Sequence, residues 1–150
     1  MKDFNIETEP GNRPRWMIVD DNKDVLATMR AVLAHCVDVD VQCFHSPHAA
    51  LATFMSTPRA FDLVITDLEM PDMSGIELSC RLWKLSPSIK VLLSTGSEIL
   101  TASEAQQKRF CGMLRKPFLL PSLRRTLEAA GVLKTPAEKN PGSFATLTAA

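Results

Sequence analysis

Four short apolar runs and one alternating segment divide this chain into regular intervals. The runs cover 16–19, 63–65, 91–93 and 112–114, and apolar and polar residues alternate over 37–43. Each run is too short for a helix, and 63–65 is rich in β-branched residues, so the runs predict buried strands and the alternating segment an outer strand. Helical spacing fills the intervals between them. Strands that alternate with helices predict a parallel sheet with helices on both faces.

Five helices are predicted, four in those intervals and one after the last run. The first follows a capping residue at Asn22, and the second opens at Ser46 with a proline at its first position. The third is predicted over 75–85 with Ile76, Leu82 and Leu85 facing inward. A polar fourth helix is predicted over about 98–108, and the last over about 121–130, before Gly131.

Length and composition predict one soluble domain. The chain has 150 residues, of which 45% are hydrophobic and 23% are charged, and its formal net charge is zero. We expect a flexible N-terminal extension at 1–14, a folded domain at 15–133 and a flexible C-terminal tail at 134–150. The four cysteines form no C-x-x-C pair, and no apolar run approaches the ~20 residues of a membrane span. These features predict a cytoplasmic protein that binds neither nucleic acid directly nor a membrane.

Polar residues stand at the exits of the predicted strands. Because the carboxyl ends of parallel strands meet at one edge, we expect five side chains to gather there: Asp20, Asp21, Asp67, Thr95 and Lys116. Each alone has an ordinary structural interpretation, as a helix start, a strand end or a turn. Together, three carboxylates repel one another unless a cation joins them, and oxygen ligands suit Mg²⁺. A metal, a lysine and a carboxylate nucleophile are the components of phosphoryl transfer.

The motifs at these exits resemble those of the receiver domain of two-component response regulators, of the chemotaxis type. The matching segments, in chain order, are Ile18-Val19-Asp20-Asp21-Asn22, Asp67-x-x-Met70-Pro71 with Gly75, Leu93-Ser94-Thr95-Gly96 and Lys116-Pro117-Phe118. The resemblance covers 15–133. It implies a flavodoxin-like, doubly wound α/β fold, in which a five-stranded parallel sheet of order 2-1-3-4-5 is flanked by five helices.

The resemblance also implies a role for each site residue. Asp67 is the expected phosphoacceptor, receiving a phosphoryl group from a histidine kinase or a phosphotransfer protein. The expected Mg²⁺ ligands are Asp20, Asp21, Asp67 and the backbone carbonyl of Glu69. Thr95 and Lys116 are expected to contact the phosphoryl group and to switch with it, and the Lys116–Pro117 peptide is expected to be cis. Such a protein is a signalling phosphoacceptor and not an enzyme in the ordinary sense.

Two positions depart from the family pattern. Met113 stands three residues before the lysine, where the family usually carries an aromatic residue that moves inward with the threonine. A flexible thioether there predicts a less sharply two-state switch. Glu69 places a carboxylate beside the phosphoacceptor, and we expect it to affect the lifetime of the phosphoryl group.

The leading functional prediction is a single-domain receiver, because a tail of about 17 residues is too short for an output domain. Its unknown downstream protein is expected at the face formed by helix 98–108, the fifth strand and the last helix. The alternatives are a receiver-like interaction module without phosphorylation, an aspartate-nucleophile phosphatase or dehalogenase, and an FMN protein. The phosphatase family places an Asp-x-Asp motif at the first strand, whereas here Asp20 and Asp21 are adjacent. They would also repel the phosphate of FMN.

Overall fold

The computed structural model describes residues 13–96 and 109–133. These residues form five strands and four helices, which alternate along the chain. The strands are β1 (Arg15–Val19), β2 (Asp40–Phe44), β3 (Leu63–Asp67), β4 (Lys90–Thr95) and β5 (Gly112–Arg115). The helices are α1 (Lys23–Cys36), α2 (Pro47–Ser56), α3 (Gly75–Leu85) and α4 (Leu120–Ala129). The predicted helix over 98–108 lies outside the described residues. So do the predicted extension and tail, apart from Arg13 and Pro14.

All neighbouring strands pair in parallel, in the order β2-β1-β3-β4-β5. This order confirms the predicted flavodoxin-like fold. Two apolar layers cover the sheet. The α1/α4 layer contains Ile18, Ile65, Leu92 and Leu114 of the sheet, together with buried residues of α1 and α4. The α2/α3 layer contains Met17, Val19, Val64 and Val91, together with buried residues of α2 and α3.

Side-chain caps fix where the first three helices begin. The Oδ1 of Asn22 accepts hydrogen bonds from the backbone N–H groups of Asp24 and Val25. Ser46 and Ser74 each accept one from the residue three positions later. Because Asn22 follows Asp21 directly, and Ser74 closes the loop after Asp67, these caps also fix the segments that carry the acidic residues.

Trp83 connects α3 to the chain entering β5. Its Nε1 donates a hydrogen bond to the carbonyl of Ile89 at 3.1 Å. The Arg109 guanidinium lies 4.6 Å from the centre of its ring, and Phe110 meets the same ring edge-on at a centroid distance of 5.1 Å. These contacts hold the residues just before β5 against α3.

Two local predictions are wrong. Leu85 is exposed, because the inward face of α3 is built from Leu78 and Leu82, one turn apart, and the helix ends at Leu85. The second strand begins at Asp40 and not at Val37, because the Val37 N–H still bonds to the Leu33 carbonyl at the end of α1.

Within 13–96 and 109–133, no helix combines the length and the hydropathy that a membrane crossing requires. The four cysteines all lie in the described residues, and none forms a disulfide.

Candidate functional site

Three carboxylates converge at the carboxyl end of the sheet. Asp20 follows β1, Asp67 ends β3, and both are buried, with Asp67 only 7% exposed. Asp21 is exposed beside them. Each of the three offers a carboxylate oxygen within 4.8 Å of those of the other two. Like charges this close and this buried are costly without a compensating cation.

Lys116, which follows the edge strand β5, supplies part of that positive charge. Its Nζ lies 2.6 Å from Asp20 Oδ2 and 3.3 Å from Asp67 Oδ1. Its backbone N–H donates to the carbonyl of Thr95 at 2.8 Å, which fixes the start of its side chain beside β4. One ammonium group therefore faces two buried carboxylates, and the site keeps an excess of negative charge.

The surrounding residues shift the pKa values of both Asp67 and Lys116. Burial raises the pKa of Asp67, and the charge of Asp20 raises it further, against the lowering effects of Lys116 and of the Glu69 backbone. For Lys116, burial lowers the pKa. The hydrogen bond to Asp20 and the charges of Asp20 and Asp67 outweigh burial, so the net pKa is raised and the group stays an ammonium ion.

The backbone around Asp67 is closely packed. The Leu68 N–H donates to the Ser94 carbonyl, and the Gly75 N–H donates to the Leu68 carbonyl, each at 2.9 Å. A Cβ on Gly75 would overlap the carbonyl oxygen of Asp67 and lie 3.1 Å from the Leu68 Cα. Only glycine at this position lets α3 begin so close to the end of β3. In the same loop Met73 is buried, and Asp72 adopts a left-handed φ of 69°.

The donor set suits a hard divalent cation. Mg²⁺ binds oxygen ligands and takes one or two protein carboxylates while keeping several waters. Asp20, Asp21 and Asp67 provide such oxygens on one face, and their negative charge exceeds the single positive charge of Lys116. The chemistry of the residues present therefore fits this ion. The described residues contain no other cluster of three metal-ligating side chains.

The remaining predicted positions lie around this group. Thr95 is buried at the end of β4, and Glu69 is exposed in the loop after β3. Met113 lies on β5 and is 43% exposed. The peptide bond between Lys116 and Pro117 is cis.

Sequence reasoning did not single out Ser94. This serine pairs in register with Asp67 across β3 and β4, is buried, and has an Oγ without a hydrogen-bond partner in the described residues. The available signal was a hydroxyl at the inward position of an otherwise apolar strand, one residue before Thr95.

Comparison with known proteins identifies the family. Residues 16–128 match the family model of the response regulator receiver domain. The transcriptional regulatory protein ZraR of Salmonella typhimurium is 33% identical over 115 residues, which are 76% of this chain and 25% of ZraR. The response regulator receiver protein CpdR of Brucella abortus is 28% identical over 116 residues, 76% of this chain and 93% of CpdR.

A solved structure agrees with these matches. The crystal structure of a response regulator receiver domain protein from Clostridium thermocellum superposes with a TM-score of 0.70 at 26% identity, covering 78% of this chain and 93% of that one. This chain spans only a quarter of ZraR but almost the whole of CpdR. On its family match and its sheet order, the chain belongs to the response regulator receiver domains of two-component systems.

Proposed function

We propose that this domain is a phosphoacceptor that takes a phosphoryl group on Asp67 from a histidine kinase or a phosphotransfer protein, in a Mg²⁺-dependent reaction. The observation that carries the proposal is the buried Asp67 carboxylate, held 3.3 Å from Lys116 Nζ with two further carboxylates beside it. Phosphorylation and magnesium binding are typical of the family.

The residues that would hold Mg²⁺ are Asp20, Asp21, Asp67 and the backbone carbonyl of Glu69. When bound, the ion supplies positive charge that offsets the carboxylates and the oxygens of the incoming phosphoryl group. The chain's own contribution is to place Asp67 beside that charge and to exclude most water from it. The raised pKa of Asp67 is consistent with a site completed by a cation.

In the transfer step, an Asp67 carboxylate oxygen bonds to phosphorus while the bond from phosphorus to the donor's imidazole nitrogen breaks. The electron pair of that bond stays on the imidazole, which leaves as the neutral base because its other ring nitrogen has taken a proton from solvent. Lys116 lies within reach of the transferred oxygens and balances their charge. Asp67 is modified in the reaction and is restored only when the phosphoryl group leaves it, so the domain acts as a signalling phosphoacceptor.

The modification would be transmitted through β4 and β5. The phosphoryl group, with a charge of about −1.5 to −2, attracts the Thr95 hydroxyl and Lys116, whose backbone N–H is already bonded to the Thr95 carbonyl. The downstream protein would bind the face formed by β5 and α4, together with the helix predicted from the sequence over 98–108, which lies outside the described residues. Met113 replaces the usual aromatic residue on that face. Glu69 is proposed to affect the lifetime of the phosphoryl group on Asp67. The dephosphorylation rate of Glu69→Ala, compared with that of the wild type, tests this effect.

The test is the intact mass of the protein after incubation with acetyl phosphate, with and without Mg²⁺, and with Asp67→Asn as the matched variant. One phosphoryl adduct that requires Mg²⁺ and is absent from Asp67→Asn is the expected result. If a folded wild-type protein forms no adduct, the phosphoacceptor proposal is wrong. An interaction module without phosphorylation is then the better account.

A further inference from the structure

Polar residues continue one face of the sheet beyond its apolar layer. In the α1/α4 layer lie Ile18 of β1, Ile65 of β3, Leu92 of β4 and Leu114 of β5. Side chains two residues apart on a strand share a face, so the next positions on that face are Asp20, Asp67, Ser94 and Lys116. Three of these four side chains are joined by the contacts of Lys116 with Asp20 and Asp67. Ser94 is the fourth, and no contact among the described residues accounts for its polar side chain.

Ser94 carries a buried hydroxyl group that no described residue hydrogen-bonds. It is 4% exposed, and its Oγ has no hydrogen-bond partner in the described residues. A buried hydroxyl without a partner is destabilising, and native proteins rarely keep one without a reason. Its in-register neighbours on this face are Asp67 on one side and Leu114 on the other. Neighbouring strands lie about 4.8 Å apart, so the hydroxyl adjoins the acidic site.

The ammonium group of Lys116 lies beside the in-register neighbour of Ser94. Asp67 ends β3 and Asp20 follows β1, and Lys116 Nζ contacts both, in a sheet whose strand order is β2-β1-β3-β4-β5. Lys116 is the next residue on this face of β5 after Leu114, the in-register partner of Ser94, so its side chain reaches Asp67 across β4. An ammonium group has three donors, and the described contacts of Lys116 Nζ are with two carboxylates.

We propose that Ser94 is a positioning residue that accepts a hydrogen bond from Lys116 Nζ when Lys116 moves from Asp20 toward a phosphoryl group on Asp67. This inference rests on the proposed function and adds a residue to it. In the unmodified site the lysine lies closer to Asp20, at 2.6 Å, than to Asp67, at 3.3 Å. New negative charge on Asp67 draws Nζ from the β1 side to β3, one strand nearer to Ser94.

The hydroxyl thereby favours the modified state. In the unmodified protein its hydrogen-bonding capacity is unused, and in the modified protein it accepts from a charged donor. The difference between the two states is what shifts an equilibrium, because an interaction made equally in both would shift nothing. Ser94 therefore stabilises the loaded arrangement at the expense of the unloaded one.

The experiment uses beryllofluoride with Mg²⁺ as the probe for the phosphoryl group, on the full chain. Its dissociation constant and the thermal unfolding temperature with and without it are measured for the wild type and Ser94→Ala. We expect Ser94→Ala to bind the probe about tenfold more weakly, the size of one hydrogen bond to a charged group. The unloaded variant should unfold at the same or a higher temperature, since an unpaired hydroxyl has been removed.

A matched pair separates the hydroxyl from packing. Ser94→Thr and Ser94→Val have the same shape and differ only in a hydroxyl, so steric effects cancel between them. Ser94→Thr should bind the probe about tenfold more tightly than Ser94→Val. A purely structural serine would instead change the unfolding temperature equally in both states.

The possible failures are distinguishable. If the wild type binds no beryllofluoride, the proposed function fails and this inference fails with it. If the wild type binds the probe and Asp67→Asn does not, while the Thr and Val variants bind it equally, the phosphoacceptor proposal survives. In that case the role of Ser94 is wrong.

Discussion

The two ends of this sheet both carry acids and bases, but they use them differently. At the amino end, where the strands begin, Arg13 pairs with Asp38 and Arg15 pairs with Asp40, each one to one and largely exposed. At the carboxyl end, Lys116 faces Asp20 and Asp67, which are buried, with Asp21 beside them. The ion pairs at the amino end are balanced in charge and exposed, whereas the carboxyl end holds more negative than positive charge and buries Asp20 and Asp67.

The difference shows what marks a functional site in this fold. Exposed one-to-one ion pairs contribute little to the free energy of folding. Buried carboxylates that outnumber their cation hold a repulsion that a ligand can relieve. The number of charges is similar at both ends, so burial and imbalance distinguish them. Four predictions test this contrast, from the largest expected effect to the smallest.

Gly75→Ala should be the most damaging single change near the carboxyl end. The new Cβ would overlap the Asp67 carbonyl oxygen and press on the Leu68 Cα, so either the loop or α3 must move. We expect a loss of about 3 kcal/mol in the free energy of unfolding, measured by denaturant titration. Gly96→Ala is the control, since a Cβ there has nothing within 4 Å. Equal losses in both variants would contradict the steric explanation.

Adding Mg²⁺ should stabilise the folded protein through the carboxylates at the carboxyl end of the sheet and not through those at the amino end. A ligand at ten times its dissociation constant raises the free energy of unfolding by about 1.4 kcal/mol. We expect this rise, measured by thermal unfolding, in the wild type and in Asp40→Asn, and its loss in Asp21→Asn and Asp67→Asn. Retention of the full effect in Asp67→Asn would place the ion elsewhere.

Asp67→Asn without metal should increase stability, by on the order of 1 kcal/mol at pH 7. The folded protein raises the pKa of Asp67 above the ordinary 3.8, so the ionised form is penalised by folding. That penalty is present above the raised pKa. The penalty diminishes as the pH falls through the raised pKa of Asp67, and it is absent below the ordinary value of 3.8.

The advantage of Asp67→Asn over the wild type should therefore shrink with acidification, as denaturant titrations at several pH values would show. An advantage that is constant with pH would mean that the carboxylate charge is not its cause.

The ion pair between Arg15 and Asp40 should make the smallest contribution to stability. Arg15 and Asp40 are 42% and 48% exposed, so their coupling in a double-mutant cycle should be about 0.5 kcal/mol and should decline with added salt. The variants Arg15→Ala and Asp40→Ala, singly and together, give this value. A coupling of several kcal/mol would remove the contrast between the two ends.

The sequence predicted the parts of the fold that depend on local pattern. The third helix has the predicted bounds, because Ser74 caps it and the chain turns at Ser86. Asp20, Asp67 and Lys116 meet as predicted for residues at the exits of parallel strands. The motif resemblance added the strand order, which periodicity alone leaves open.

Details that depend on tertiary packing were not predictable in this way. Leu85 has the spacing of an inward residue, but it is the last residue of α3 and is 41% exposed. The importance of Ser94 depends on register, because only the pairing of β3 with β4 places it next to Asp67. The pairing register of two strands cannot be read from either strand alone.

The contacts of Trp83 make the domain its own optical reporter. The chain has two tryptophans, and Trp16 is buried in the α1/α4 layer, on the opposite face of the sheet from Trp83. Trp83, in contrast, has a guanidinium over its face and a phenyl ring at its edge, both from the residues that lead into β5. A displacement of Arg109 or Phe110 changes the surroundings of one indole only. The fluorescence difference between the wild type and Trp83→Phe therefore isolates motion at the entrance to β5, without an added label.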